Sequence, residues 1–251
     1  MKQREAFTLT ELLVLTSVAA MLGGMLLTSL DGAKQTLQGA QCLGNLRQWG
    51  LALALYSNDY HDYVTGAGGD TSAVPLDQYY NLTAWFNLLP RYMNLPALKN
   101  LYATNQIPAP GKKSVFVCPS APAISNAPSS AMPYFSYAMN RVMTGESASC
   151  PNNFYKRSTA ALPGQVVMFS DSDGIGGWSY SFTDGYYLGQ AAPRHSGGMN
   201  FVFVDGHAQW YKQADYRWTS PFGFTANAEW ITPRVIYWFP CKTCDKSCST
   251  H

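Results

Sequence analysis

The chain reads as an α+β protein: a long N-terminal helix, transmembrane in its first half, packed on an antiparallel β-sheet. Three observations carry this expectation. Segment 7–30 is apolar and carries a single charge, Glu11. Segment 31–60 is more polar, contains no proline and keeps a helical period. Beyond it, short runs of β-branched and aromatic residues follow one another without helical stretches between them, as antiparallel strands do.

From Phe7 to Leu30 a helix rises about 36 Å, enough to cross a hydrocarbon core of about 30 Å with some tilt. In its continuation Cys42, Leu46, Trp49, Leu53, Tyr56 and Tyr60 recur at alternating steps of four and three, which marks one helical face. Gly23, Gly24 and Gly39 are the weak points, where a helix unwinds or where small surfaces let neighbouring helices approach. The head, 61–251, opens with loops rich in Gly, Pro, Asn and Tyr, in which Ala84–Tyr92 is a short amphipathic helix. Strands are expected at 134–142, 165–170, 177–182, 200–204, 208–211 and 230–239. Asp205-Gly206, flanked by apolar runs, signals a hairpin over 195–211.

Charged residues make up 13% of the 251, the net charge is +2, and no basic stripe points to nucleic acid. Glu11 is therefore conspicuous, because a carboxylate in a membrane span is costly and marks function. Ahead of it, Met1–Ala6 is a short polar leader with Lys2 and Arg4, a bias that keeps an N-terminus cytoplasmic. Its small residue, Ala6, precedes the apolar core instead of following it, so a cut there leaves the helix on the product. Glu11 lies one turn from Phe7, level with an ammonium freed by such a cut. The alternative is a plain signal anchor in which Glu11 snorkels to the headgroups.

The run Ala6-Phe7-Thr8-Leu9-Thr10-Glu11-Leu12-Leu13 resembles the processing site of type IV pilins and type II secretion pseudopilins. It departs from their pattern in Ala6 for the usual Gly and Thr10 for the usual Ile. Residues 42–53 resemble the matching helix of a large pseudopilin-like family. His195, nine residues, then Asp205-Gly206 match the signature of its prepilin-processing-associated members. The resemblance implies a pilin-like fold, cleavage before Phe7 and methylation of the new amine by a prepilin peptidase. It also implies that Glu11 neutralises the amine of a neighbouring subunit. The expected product is a structural subunit of a pilus-like filament or secretion pseudopilus, not an enzyme. Its partners would be its own copies and other pilin-like subunits, with a single pass through the inner membrane and a periplasmic or extracellular head.

Other readings attach to particular residues. Aromatics make up 14% of the chain, so a filament-displayed module could bind glycan or protein through Trp178, Tyr180, Trp210, Trp218 and Trp230. His195 and Asp205, with Asp171 or Asp173, could form an acid–base cluster, but no nucleophile motif accompanies them and Asp205 suits a turn. Asp171, Asp173 and Asp184 offer oxygen ligands for calcium, which some secretion pseudopilins hold, although the closing Glu of an EF-hand is missing. Disulfides are expected outside the cytoplasm, with Cys42, Cys118 and Cys150 free to pair in more than one way. The tail, 241–251, places Cys241, Cys244, Cys248 and His251 as disulfide partners or as a compact zinc set. No other cofactor is implied.

Overall fold

The computed structural model describes residues 8–68, 76, 82–123, 128–130, 133–144, 155–172, 182–183, 194–216, 226–231 and 233–244. Helix α1 runs unbroken over Leu9–Asp59, 51 residues, through all three suspect glycines. At ~1.5 Å per residue it is about 77 Å long. Its two halves live in different surroundings. From Leu9 to Met25 the large apolar side chains are exposed among the described residues, and the most protected of them, Val18, is still 49% exposed. In the second half Cys42, Leu46, Trp49 and Leu53 are buried, four members of the stripe that the spacing marks out. Tyr56 and Tyr60 end that stripe stacked on each other at 4.4 Å, with the Arg91 guanidinium over the Tyr60 ring.

The stripe lies on a five-stranded sheet, β1 (Tyr137–Asn140), β2 (Val167–Asp171), β3 (Phe182–Thr183), β4 (Gly198–Phe203) and β5 (Ala208–Lys212), ordered β3-β1-β2-β4-β5. Four of the strands, β1, β2, β4 and β5, pair antiparallel as expected, but β3 runs parallel to β1. With β2 antiparallel to β1 and β3 parallel to β1, β2 and β3 run in opposite directions on either side of β1.

Both faces of the sheet are covered, which is why β4 is buried at every position instead of alternating. Val202 and Val204 face α1, together with Trp49, Trp85 and Phe169. Met199, Phe201 and Phe203 face away and pack with Tyr216, Ile236 and Trp238. The rings of Trp49 and Trp85 meet edge to face at 4.7 Å, and the Trp49 indole N–H donates to the Val115 carbonyl at 3.1 Å. Trp85 belongs to the expected short helix, here Trp85–Leu88, which tightens into a 3₁₀ turn over Leu89–Met93 where Pro90 enters.

Two strand expectations need correction. Trp230 follows a helical turn, Ala226–Glu229, and the described residues from there to Phe239 form no strand; they meet the sheet through a bridge of Tyr237 to Val166 and through the side chains of Ile236 and Trp238. The Tyr237 amide donates to the Gln165 carbonyl at 2.8 Å, but those of Trp238 and Phe239 turn to the buried Glu229 carboxylate at 2.8 and 2.7 Å. The first strand is also shorter than 134–142, because the Asn140 side chain accepts from the Val142 amide and turns the chain into Arg141–Thr144. Of the expected strand 177–182, only Phe182 lies within the described residues.

At Gly50 α1 lies close against the sheet: a Cβ there would stand 2.6 Å from Val202 Cγ1, whereas one at Gly44 meets nothing within 4 Å. Gly50→Ala is expected to destabilise the head by roughly 1–3 kcal/mol, while Gly44→Ala stabilises it by about 1 kcal/mol. Urea unfolding of the detergent-solubilised chain checks both. Burial raises the Glu229 carboxyl from 4.5 to about 7, against the pull of the Phe239 and Trp238 amides. The folded chain then binds a proton that the unfolded chain releases. This contribution is full below pH 4.5 and lost as the pH rises through about 7. Over that window the Glu229 term is of the order of 3 kcal/mol. Glu229→Gln is expected to flatten the decline, read as unfolding free energy against pH.

Candidate functional site

Glu11 sits in the first turn of α1 and closes a reciprocal cap. The Thr8 amide and hydroxyl donate to Glu11 Oε2 at 2.9 and 2.7 Å, and the Glu11 amide donates back to Thr8 Oγ1 at 3.3 Å. Thr-x-x-Glu ahead of an apolar run is the sequence sign of such a capping box, a role the membrane argument overlooks. Ala6 and Phe7 lie outside the described residues.

A second constellation lies in the interior, where four segments distant in sequence meet. Cys42 comes from α1, Cys118 from the turn after Val117, Asp171 from the end of β2 and His195 from the approach to β4. Their sulfur, oxygen and nitrogen atoms all lie within 4.8 Å of one another, and all four residues are buried. Cys42 Sγ donates to Asp171 Oδ1 at 3.1 Å, His195 Nε2 is 3.4 Å from Asp171 Oδ2, and Cys118 Sγ is 3.5 Å from His195 Nε2.

Asp171 reaches this point through a shift in strand register between Val167 and Phe169. Val167 packs on the far face of the sheet, and strict alternation would send Phe169 and Asp171 there too. Instead Met168 and Phe169 both pack on the α1 side, and Asp171 follows. A bulge of this kind re-aims side chains.

The buried charge has local support. The Asn200 amide donates to Asp171 Oδ2 at 2.8 Å, Tyr137 places its hydroxyl 3.3 Å from Cys42 Sγ, and Asn45 donates to that hydroxyl at 3.1 Å. Arg194 donates through Nη2 to the carbonyls of Ser136 and Ser172. Burial works against its charge most strongly, but Asp171 together with Cys118, Cys42 and Tyr134 holds the guanidinium above its usual range. Burial likewise pushes the Cys42 thiol up, with Cys118 and Asp171 adding to the effect. The hydrogen bond from Cys42 pulls Cys118 down, so Cys118 is the thiol that ionises first. For His195 burial opposes protonation, yet the bond with Cys118 and the charge of Asp171 prevail and raise it above 6.5.

His195 and Asp205 do not form a pair. Asp205 bonds the His207 amide at 3.0 Å and its ring at 2.7 Å, and Gly206 takes φ 94°, so the Asp-Gly pair builds the β4–β5 turn. The His of the signature points inward while its Asp-Gly shapes the far end of the same hairpin. Asp171 is also no calcium ligand of an open loop: its oxygens face thiols and an imidazole in the core. Asp173 and Asp184 lie outside the described residues.

Among the other cysteines, Cys241 and Cys244 form a disulfide, which removes two thiolates from the expected tail zinc set. Cys150, Cys248 and His251 lie outside the described residues. Cys42 and Cys118 are free thiols, so the disulfide expected for them is absent although they are neighbours. Trp210 is 40% exposed and donates its indole N–H to the His195 carbonyl at 2.8 Å, while Trp230 stacks on Tyr237 at 4.3 Å. Trp178, Tyr180 and Trp218 fall outside the described residues. Comparison with protein-family models, with curated proteins and with solved structures finds no match.

Arg194→Met removes a buried guanidinium whose Nη2 donates to the Ser136 and Ser172 carbonyls, and is expected to cost about 1–3 kcal/mol of stability by leaving buried acceptors short of a donor. His207→Ala loses an exposed pair and is expected to cost at most about 1 kcal/mol. Chemical denaturation of the two variants measures the contrast.

Proposed function

We propose that this chain is a structural subunit of a type IV pilus-like filament or a type II secretion pseudopilus. It is made as a prepilin, cleaved before Phe7 and methylated there by a prepilin peptidase. The observation that carries the reading is the division of α1: one continuous helix whose polar half is docked in the head and whose apolar half is exposed among the described residues. An uncovered apolar surface of this length calls for lipid or for other helices. A subunit that waits in the inner membrane and then packs into a filament meets each in turn, and its head stays periplasmic or extracellular throughout.

Glu11 has a defined part in this scheme. In the single chain its carboxylate accepts from Thr8. The ammonium freed at Phe7 of a neighbouring subunit offers it a stronger, charge-assisted partner in a medium that screens little. Gly23 and Gly24 have open space where a Cβ would stand, so another helix can come near at that level.

Peptide mass spectrometry of the membrane-extracted protein is expected to find a mature N-terminus at methylated Phe7; a chain that begins at Met1, or after another residue, overturns the proposal. Glu11→Ala is expected to be cleaved nearly as the parent is, yet to enter sheared filaments about tenfold less, the scale of losing one ion pair of about 1.4 kcal/mol. Quantitative immunoblotting of the filament fraction reads that ratio.

A further inference from the structure

The convergence of Cys42, Cys118, Asp171 and His195 exceeds what packing alone requires. A helix, a turn, a strand end and a strand approach each deliver one metal-binding atom to the same buried point. We propose that these four residues form a structural zinc site that fastens α1 to the head. The inference does not rest on the filament reading, since any anchored head with this core would carry the site.

Distance supports it first. Four ligands at ~2.0–2.3 Å from one centre stand about 3.3–3.8 Å apart in a tetrahedron. Cys42 Sγ stands 3.1 Å from Asp171 Oδ1 and Cys118 Sγ 3.5 Å from His195 Nε2, close to those edges, and all four ligand atoms lie within 4.8 Å of one another, so the widest pair closes by about 1 Å when the ion binds. Ligand chemistry supports it next. Two thiolates, an imidazole and one carboxylate make a borderline-soft set that suits zinc and does not suit calcium or magnesium. All four positions are supplied by protein and all four residues are buried, which is the closed form of a structural site, not the open form of a catalytic one.

The surroundings are those a zinc site needs. The Asn200 amide engages Asp171 Oδ2 and leaves Oδ1 for the ion. The Tyr137 hydroxyl stands against Cys42 Sγ and is itself held by Asn45. The imidazole lies against α1 at Gly39, where a Cβ would meet His195 Nδ1 at an ordinary contact distance of 3.5 Å. Two thiolates and a carboxylate bring three negative charges against two on zinc. The buried Arg194 guanidinium, next in the chain to His195 and held by the Ser136 and Ser172 carbonyls, supplies the remaining positive charge.

The rival is a Cys42–Cys118 disulfide, and one set of measurements separates the two. Full-length protein is purified in mild detergent without added metal or reductant and analysed by elemental mass spectrometry and non-reducing peptide mapping. The expected result is about one zinc per chain, with Cys42 and Cys118 both alkylated once the metal is stripped. Cobalt(II) added to the stripped protein is expected to show the intense visible bands of a tetrahedral site with thiolate charge transfer. Cys42→Ser and His195→Ala are expected to lower the zinc content about tenfold or more, whereas Cys241→Ser/Cys244→Ser keeps it. If the single variants do not fold, chelation of the parent protein still decides: Tm is expected to fall on stripping and to recover when zinc alone is returned. A linked Cys42–Cys118 peptide with no zinc overturns the proposal. So does an octahedral cobalt spectrum, a Tm indifferent to zinc, or zinc that follows the Cys241 and Cys244 pair.

Discussion

Everything in this head depends on how α1 satisfies its apolar stripe. A helix of 51 residues cannot bury its own side chains, and the sheet is large enough to cover only the later turns. Trp49 sits at the centre of that contact, with Trp85 and Phe116 around its ring and the Val115 carbonyl on its indole N–H. The glycine next to it, Gly50, lets the helix axis close on Val202. Aromatic bulk at one position and its absence at the next set the distance between helix and sheet. The rest of the core is built around that spacing.

The sheet answers with two dissimilar faces. The side toward α1 mixes apolar residues with a buried polar knot, while the other side is a nearly pure aromatic and aliphatic layer under Trp238 and Tyr216. A buried carboxylate such as Asp171 is tolerated only where donors surround it. Here they arrive from Asn200, Cys42 and His195, with Arg194 close enough to share the field. These donors come from α1, from β4 and from its approach, so the knot ties together pieces that hydrophobic burial alone would leave free to slide.

The sequence makes some of this legible and hides the rest for identifiable reasons. The positions Cys42, Leu46, Trp49 and Leu53 can be read directly because helical periodicity is a local signal. So can the Asp205-Gly206 turn, whose conformation depends on two adjacent residues. The union of Cys42, Cys118, Asp171 and His195 is different in kind. It depends on strand order and on a register shift at Met168, and neither leaves a mark in spacing. Asp171 next to Asp173 therefore suggests a hard-ligand loop, while the fold takes Asp171 inward. The segment 230–239 misleads for a related reason: its β-like composition serves burial over the sheet, and Glu229 takes the amides that a strand partner would otherwise bond. The Thr8-x-x-Glu11 cap is local in the same way as the Asp205-Gly206 turn, since it depends on two residues three apart.

The unbroken passage of α1 through Gly23, Gly24 and Gly39 also fixes an angle. Because each residue of an α-helix turns the chain by about 100° and lifts it by ~1.5 Å, the azimuth of the head is locked to that of the apolar half. One residue inserted between Leu30 and Gln41 would swing the sheet about a quarter of a turn relative to Glu11, and three or four would nearly restore it. The stretch between the two halves works as a phase shifter: its length, more than its side chains, decides which side of the head faces outward for a given orientation of the apolar half.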